Sequence, residues 1–150
     1  MHIVLGCDHR GLELKQDLIS LIRNMGHSYE DLGCYSTFSV DYPDIAYSIA
    51  KSVADGKCII GILVCSTGIG MSISANKVKG IRAALCHDIY TAQKARQHND
   101  ANVVCIGADV VGRELAREIV SHFLGTKFEG GRHLSRVAKL MELEHHPTTE

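Results

Sequence analysis

Cys65 closes a continuous apolar run, Cys58-Ile59-Ile60-Gly61-Ile62-Leu63-Val64-Cys65, and Ser66-Thr67-Gly68-Ile69-Gly70 follow at once. A thiol at a strand end, beside the first N–H groups of a helix, has its thiolate favoured and can act as base or nucleophile. Gly68 and Gly70 allow positive φ and close backbone approach, so successive N–H groups can face an anion there. The pair falls short of a nucleotide signature, which needs a third glycine or a Gly-Lys-Ser/Thr ending. The same glycines would equally serve a tight strand-to-helix turn, and a strand-end cysteine is also a common inert packing group. Taken alone, the loop suits a phosphate.

Other titratable groups cluster past apolar runs: Asp8-His9-Arg10 after residues 2–7, His87-Asp88 after 81–86, and His98-Asn99 near the end of the next helical stretch. An adjacent Asp-His serves a site or an ordinary surface pair, and His98-Asn99 serves a site or a helix C-cap. Arg132 and Arg136, four apart, share one helical face, which suits a bidentate oxyanion or a solvated basic surface. His9, Cys65, His87, Asp88 and His98 show none of the recurrent zinc-ligand spacings, so no metal is expected.

The elements that must position these groups alternate. Strands are expected at 2–7, about 27–32, 58–65, 81–86 and 102–107. Helices carry Leu14, Leu18, Leu21, Ile22 and Met25; then Ile45, Ala46, Ile49, Ala50 and Val53; then a short piece after Gly70. Further helices run from an Asp88 cap to about His98, along Leu115, Ile119, Val120 and Phe123, and along Val137, Ala138 and Met141. Asp41-Tyr42-Pro43 reads as a polar loop. Five strands alternating with helices predict an α/β fold: a Rossmann-like three-layer sandwich with a five-stranded parallel sheet. Ligands on such sheets bind outside the carboxyl ends of the strands, and the titratable groups are expected to converge on that edge.

One domain over residues 1–150 is expected, with a flexible tail from about His145. The chain is 45% apolar and 22% charged, which excludes intrinsic disorder, and its net charge of −1 recommends neither nucleic acid nor membrane as a partner. No apolar run approaches the ~20 residues of a bilayer span. The opening Met1-His2-Ile3-Val4-Leu5-Gly6 reads as a strand rather than a signal peptide. The six cysteines form no Cys-x-x-Cys pair, and reduced cysteines in a cytoplasmic protein are expected.

Together these segments resemble type B ribose-5-phosphate isomerase, of the family that also holds galactose-6-phosphate isomerase subunits. The resemblance is carried by GCDHRG at 6–11, DYP at 41–43, CSTGIGMSISANK at 65–77, GIRAALC at 80–86, ARQHNDANV at 95–103, VVG at 110–112 and EGGRH at 129–133. It implies a cofactor-free, metal-free aldose–ketose isomerase of the pentose phosphate pathway, interconverting ribose 5-phosphate and ribulose 5-phosphate through an enediolate. It further implies a homodimer, sometimes a tetramer, whose active site is shared between subunits. Carried over by position, Cys65 is the base between C2 and C1, Thr67 assists proton exchange between the sugar oxygens, and His98 opens the ring. Asp8 and His9 contact the sugar, the backbone of Ser66, Gly68, Ile69 and Gly70 holds the enediolate oxygens, and Asn99 holds a hydroxyl. The resemblance moves the phosphate from the loop to Arg132 and Arg136.

Two departures stand out. Where the family reads Gly-Ala/Ser-Arg-Val-Val-Gly, this chain has Gly107-Ala108-Asp109-Val110-Val111-Gly112, and Arg10 occupies a position more often small or apolar. Arg10 or Arg113 is expected to compensate at the phosphate, with Asp109 orienting one of them and Arg113 in i,i+4 reach. An isomerase of a six-carbon sugar phosphate (allose or galactose 6-phosphate) and a non-catalytic sugar-phosphate sensor are the competing readings.

Overall fold

The computed structural model describes residues 1–145, and in it the apolar runs become five strands in the order β2-β1-β3-β5-β4. They are β1 (His2–Cys7), β2 (Ser28–Asp31), β3 (Ile60–Cys65), β4 (Ala83–Leu85) and β5 (Val103–Gly107). The helices are α1 (Leu12–Asn24), α2 (Tyr42–Ala54), α3 (Ile69–Ala75), α4 (Ile89–Asn99), α5 (Arg113–Gly125) and α6 (Arg132–Glu142). Every strand pairing is parallel, with Leu5 opposite Ile62 and Leu63 opposite Cys105 in the central ladders. This is the three-layer sandwich that the alternation predicts. Residues 146–150, within the tail expected to be flexible, lie outside the described residues.

Period-two alternation decides which face each side chain serves. Ile60, Ile62 and Val64 pack with Leu18 and Ile22 of α1, Ala92 of α4 and Ile119 and Phe123 of α5. Leu63 and Cys65 turn the other way, onto Ala46 and Ile49 of α2 and Met71 and Ala75 of α3. Cys65 therefore ends its strand on the α2–α3 side of the sheet.

Some expectations are corrected. Tyr42 and Pro43 lie not in a loop but in the first turn of α2, with Asp41 at the N-cap; proline suits that turn because its missing N–H would be unpaired anyway. On α5 the buried face carries Ala116 and Leu124 beside Ile119, Val120 and Phe123, while Leu115 is 38% exposed. Asp88 does cap α4, accepting from Thr91 N–H at 2.6 Å, but the helix closes at a left-handed Asp100 (φ 46°) rather than at His98-Asn99.

Two charged residues of α1 are buried. Lys15 donates to both oxygens of Asp31 at 2.7 and 2.8 Å and to the Cys34 carbonyl at 2.7 Å, fastening the β2–α2 loop to the helix. Asp17 pairs with Arg113 and Arg117 of α5, joining two helices on one face of the sheet. The Arg113 hydrogen bond, seconded by Arg117, holds the Asp17 carboxyl below the usual aspartate range against an opposing effect of burial. The unfolded chain thus takes up that proton at higher pH than the folded one. The contribution to stability is full above ~pH 4 and is lost as pH falls through the depressed native value. In a pH series of thermal melts, the Tm of the native chain should fall more steeply below ~pH 4 than that of Asp17→Asn. Parallel curves would mean the pair contributes no acid sensitivity.

Candidate active site

The chain leaves β1 for β2 on one side and returns to β3 on the other, so a crevice opens outside the carboxyl ends of β1 and β3. Cys65 ends β3 there, buried, with its Sγ accepting from Gly68 N–H at 3.1 Å. Gly68 has φ 74°, and a Cβ on it would stand 2.5 Å from Leu85 Cδ1 and 3.0 Å from the Ile106 carbonyl carbon, so the turn accepts glycine alone. A Cβ on Gly70 would meet the Tyr42 ring at 2.5 Å; its absence lets the ring lie against the start of α3. Thr67 Oγ1 accepts from Ile69 N–H at 3.3 Å, and the Thr67 carbonyl lies 3.2 Å from His87 Nε2. The loop after β5 fastens the other side, Ala108 and Asp109 N–H donating to the Cys65 and Ser66 carbonyls at 2.8 and 3.0 Å. The result is a thiol under a fixed Gly-rich turn, beside backbone N–H donors. Burial pushes the Cys7 thiol up to about 12 and Cys86 up to about 11, and it raises Cys105 too. Those three are protonated packing groups near neutral pH.

Asp8 lies on the same rim but is no surface pair with His9. It is buried, and its Oδ1 accepts from Arg10 and Gly11 N–H at 2.9 and 3.2 Å, turning the chain into α1. His9 Nδ1 accepts from Val40 N–H at 3.3 Å. Arg10 donates through Nε and Nη2 to Asp109 Oδ2 at 3.3 and 2.8 Å. The guanidinium, with the Ser66 hydroxyl second, holds the Asp109 carboxyl below the usual range. The expected Asp109–Arg113 pairing is corrected: Arg113 binds Asp17 instead. Helix α5 begins at Arg113, so Asp109 precedes it and shares no helical face with it. Arg10, Asp109 and Arg113 line a cleft of about 570 Å³ between α1 and the β5–α5 loop.

His98, Asn99, Arg132 and Arg136 are somewhere else. Helix α4 runs back from the carboxyl edge, and its eleven residues rise roughly 16 Å. His98 at its far end thus stands by the amino edge, where Arg82, just before β4, donates to the Asn99 and Asp100 carbonyls at 3.0 and 2.9 Å. The expectation that all the titratable groups converge on one edge fails here, because a helix separates them. His98 stacks on His133 of α6, ring centroids 4.1 Å apart and planes 9° off parallel. Both approach Glu129, whose N–H donates to the Gln97 carbonyl at 3.0 Å. Burial, with His98 and Arg132 adding to it, holds the His133 pKa below the ordinary value. His98, Asn99, His133 and Arg136 line a second cleft of about 280 Å³, and neither of these two clefts is lined by residues 65–70.

The sequence model of the ribose/galactose isomerase family matches residues 3–140. The chain is 46% identical to ribose-5-phosphate isomerase B of Escherichia coli, over 95% of each chain. The chain belongs to the ribose/galactose isomerase family. This isomerase superposes on the Clostridium thermocellum ribose-5-phosphate isomerase B with a TM-score of 0.95 at 46% identity, covering 97% of this chain and 98% of that one. A Mycoplasma genitalium ribose-5-phosphate isomerase B, solved with bound ribulose 5-phosphate, matches with a TM-score of 0.93 at 39% identity over 97% of each chain.

Within one chain of this isomerase, then, Cys65, Ser66, Thr67, Gly68, Ile69, Gly70, Asp8, His9 and Arg10 gather at the carboxyl edge. His98, Asn99, Arg132 and Arg136 gather at the amino edge, and Glu129 and His133 join them unforeseen. The one available signal was their spacing of four, across a Gly130-Gly131 turn that carries φ of 65° and 54°. Among the described residues no helix is long and apolar enough to cross a membrane.

Proposed function

We propose that this isomerase interconverts ribose 5-phosphate and ribulose 5-phosphate, without metal or cofactor, at a site completed by a second copy of the chain. Cys65 removes the proton from C2 and returns it to C1. Charge then develops on the carbonyl oxygen, and the N–H groups of Ser66, Gly68, Ile69 and Gly70 receive it. Thr67 exchanges the proton between the two sugar oxygens. His98 of the other subunit opens the furanose ring, a transfer suited to an imidazole near neutrality. Asp8, His9 and Asn99 contact the sugar, and Arg132 and Arg136 take the phosphate. Six free cysteines suit a reducing compartment and support a cytoplasmic location.

The observation that carries this reading is the buried Cys65 sulfur under the Gly68 N–H at the sheet's carboxyl edge. The second copy is supported by the helix that takes His98 to the opposite edge, and by apolar side chains left open beside each half. Ile69 and Ile73 are 50% and 57% exposed next to the Cys65 loop, and Leu134 and Leu140 are 61% and 42% exposed next to Arg136. Such pairs are what an isologous dimer buries. The test is the purified protein assayed on pentose and hexose phosphates: turnover of ribose 5-phosphate at least tenfold above allose and galactose 6-phosphates supports the pentose. The family takes in galactose isomerases as well, so a six-carbon substrate is the alternative outcome.

Asp109, in place of the family's arginine, bears on the phosphate. A carboxylate beside a phosphate dianion repels it. Here the carboxylate already holds Arg10. Arg10 becomes the added phosphate ligand and Asp109 its support, while Arg113 is committed to Asp17. Arg10→Ala should raise KM at least tenfold, about 1.4 kcal/mol, with kcat less affected. Arg113→Ala should leave KM near native, and Asp109→Arg should bind as well or better. If Arg10→Ala keeps the native KM while Asp109→Arg tightens binding a hundredfold, no compensation operates.

A further inference from the structure

We propose that His98, Glu129 and His133 form a site for one divalent transition-metal ion of the zinc type, and that filling it inhibits the enzyme by immobilising His98. The inhibition rests on the role given to His98 above; the site itself does not. Three elements build the cluster. The Glu129 N–H donates to the Gln97 carbonyl at 3.0 Å, which pins the carboxylate beside the end of α4. The left-handed Gly130 and Gly131 then turn the chain into α6, setting His133 one helical turn beyond Glu129. Nε2 of His133 lies 3.5 Å and Nε2 of His98 lies 3.9 Å from Glu129 Oε2, and the three donor atoms fall within 4.8 Å of one another. Around a tetrahedral ion with bonds of ~2.0–2.1 Å, donor atoms stand roughly 3.3–3.4 Å apart, so the cluster must draw together by up to roughly 1.4 Å to hold one.

A second observation points to a ligand. His133 is only 6% exposed, and its Nε2, aimed into this cluster, is buried with no hydrogen-bond partner among the described residues. Buried polar atoms are normally satisfied, and an ion bound there would satisfy this one. Two imidazoles and a carboxylate are also the protein donors of a three-ligand zinc site that keeps a fourth position open. His98 is a third exposed, and because its ring lies nearly parallel to that of His133 it must tilt out of the stack for its lone pair to meet the ion. Arg132 and Arg136, on the same helix, oppose a cation and weaken its binding. The donor set favours Zn²⁺, Co²⁺ or Ni²⁺ over the oxygen-seeking Mg²⁺ and Ca²⁺.

The test uses the Cys65→Ser chain, which removes a competing thiol, titrated calorimetrically with zinc chloride near neutral pH. One ion per chain is expected, with Glu129→Gln on the same background weakening it at least tenfold. Glu129 is 47% exposed, so the substitution does not threaten the fold. Cobalt should give the visible absorption of a four-coordinate ion, and Glu129→Gln should abolish it. Cys58→Ser, at the separate His2–Glu30–Cys58 cluster, should change neither result. No binding at ~100 µM zinc, or equal affinity in Glu129→Gln, overturns the site. In the native enzyme, zinc should lower the rate, a chelator should restore it, and Glu129→Gln should escape, each measured against its own metal-free rate. Binding without loss of rate overturns the inhibition, and with it the role of His98, while the site stands.

Discussion

Cys65→Ser should lower kcat by 10²–10⁴-fold, the range expected when general-base catalysis is lost. A serine hydroxyl is no base near neutral pH, whereas the sulfur it replaces stands at the head of the Gly-rich turn, 3.1 Å from the Gly68 nitrogen. The fold should not register the change. The side chain is 5% exposed, its neighbours Met71 and Ala75 keep their packing, and the Gly68 N–H keeps an acceptor. Initial rates, calorimetric binding of ribose 5-phosphate and a thermal melt check the three parts together. A variant with a native melt that retains more than about a tenth of the rate would assign proton transfer to another group, since losing a general base costs at least ~10²-fold. A variant that neither binds nor melts normally would make Cys65 structural, as are Cys7, Cys86 and Cys105.

The carboxyl-edge cluster of the candidate site was legible because it is local. A strand end, two glycines and a cysteine within six residues declare a turn and a thiol, and parallel topology fixes the edge they occupy. What stayed hidden depends on distance along helices or on burial that polar residue types disguise. Lys15 and Asp17 count as polar in any periodicity, yet Lys15 is 1% and Asp17 8% exposed, because partners from β2 and α5 come to meet them. Spacing alone paired Asp109 with Arg113, and the start of α5 decides otherwise. His98 follows a strand end by about a dozen residues and so seemed to share its edge, until the length of α4 is laid along the sheet.

That length yields the sharpest expectation. If each site takes Cys65 from one subunit and His98 from the other, Cys65→Ser and His98→Asn are complementary lesions. Each variant alone, assembled with itself, spoils both of its sites. A mixed dimer spoils one site twice and leaves the other whole, with Cys65 from the His98→Asn chain and His98 from the Cys65→Ser chain. Random pairing makes half the dimers mixed, each with one working site of two, so about a quarter of native activity should return. Co-expression with two different affinity tags, followed by tandem purification, isolates the mixed dimers and should raise that to about half. The recovery must exceed the sum of the activities of the two parents, each measured alone. Mixed dimers shown to be present but inactive would place both residues in one subunit's site, against the separation that α4 imposes. A monomeric protein retaining native activity would say the same more directly. The exposed Ile69, Ile73, Leu134 and Leu140 give a way to ask: Ile73→Glu should split the dimer and abolish turnover, although Ile73 lies outside every role assigned to the sugar.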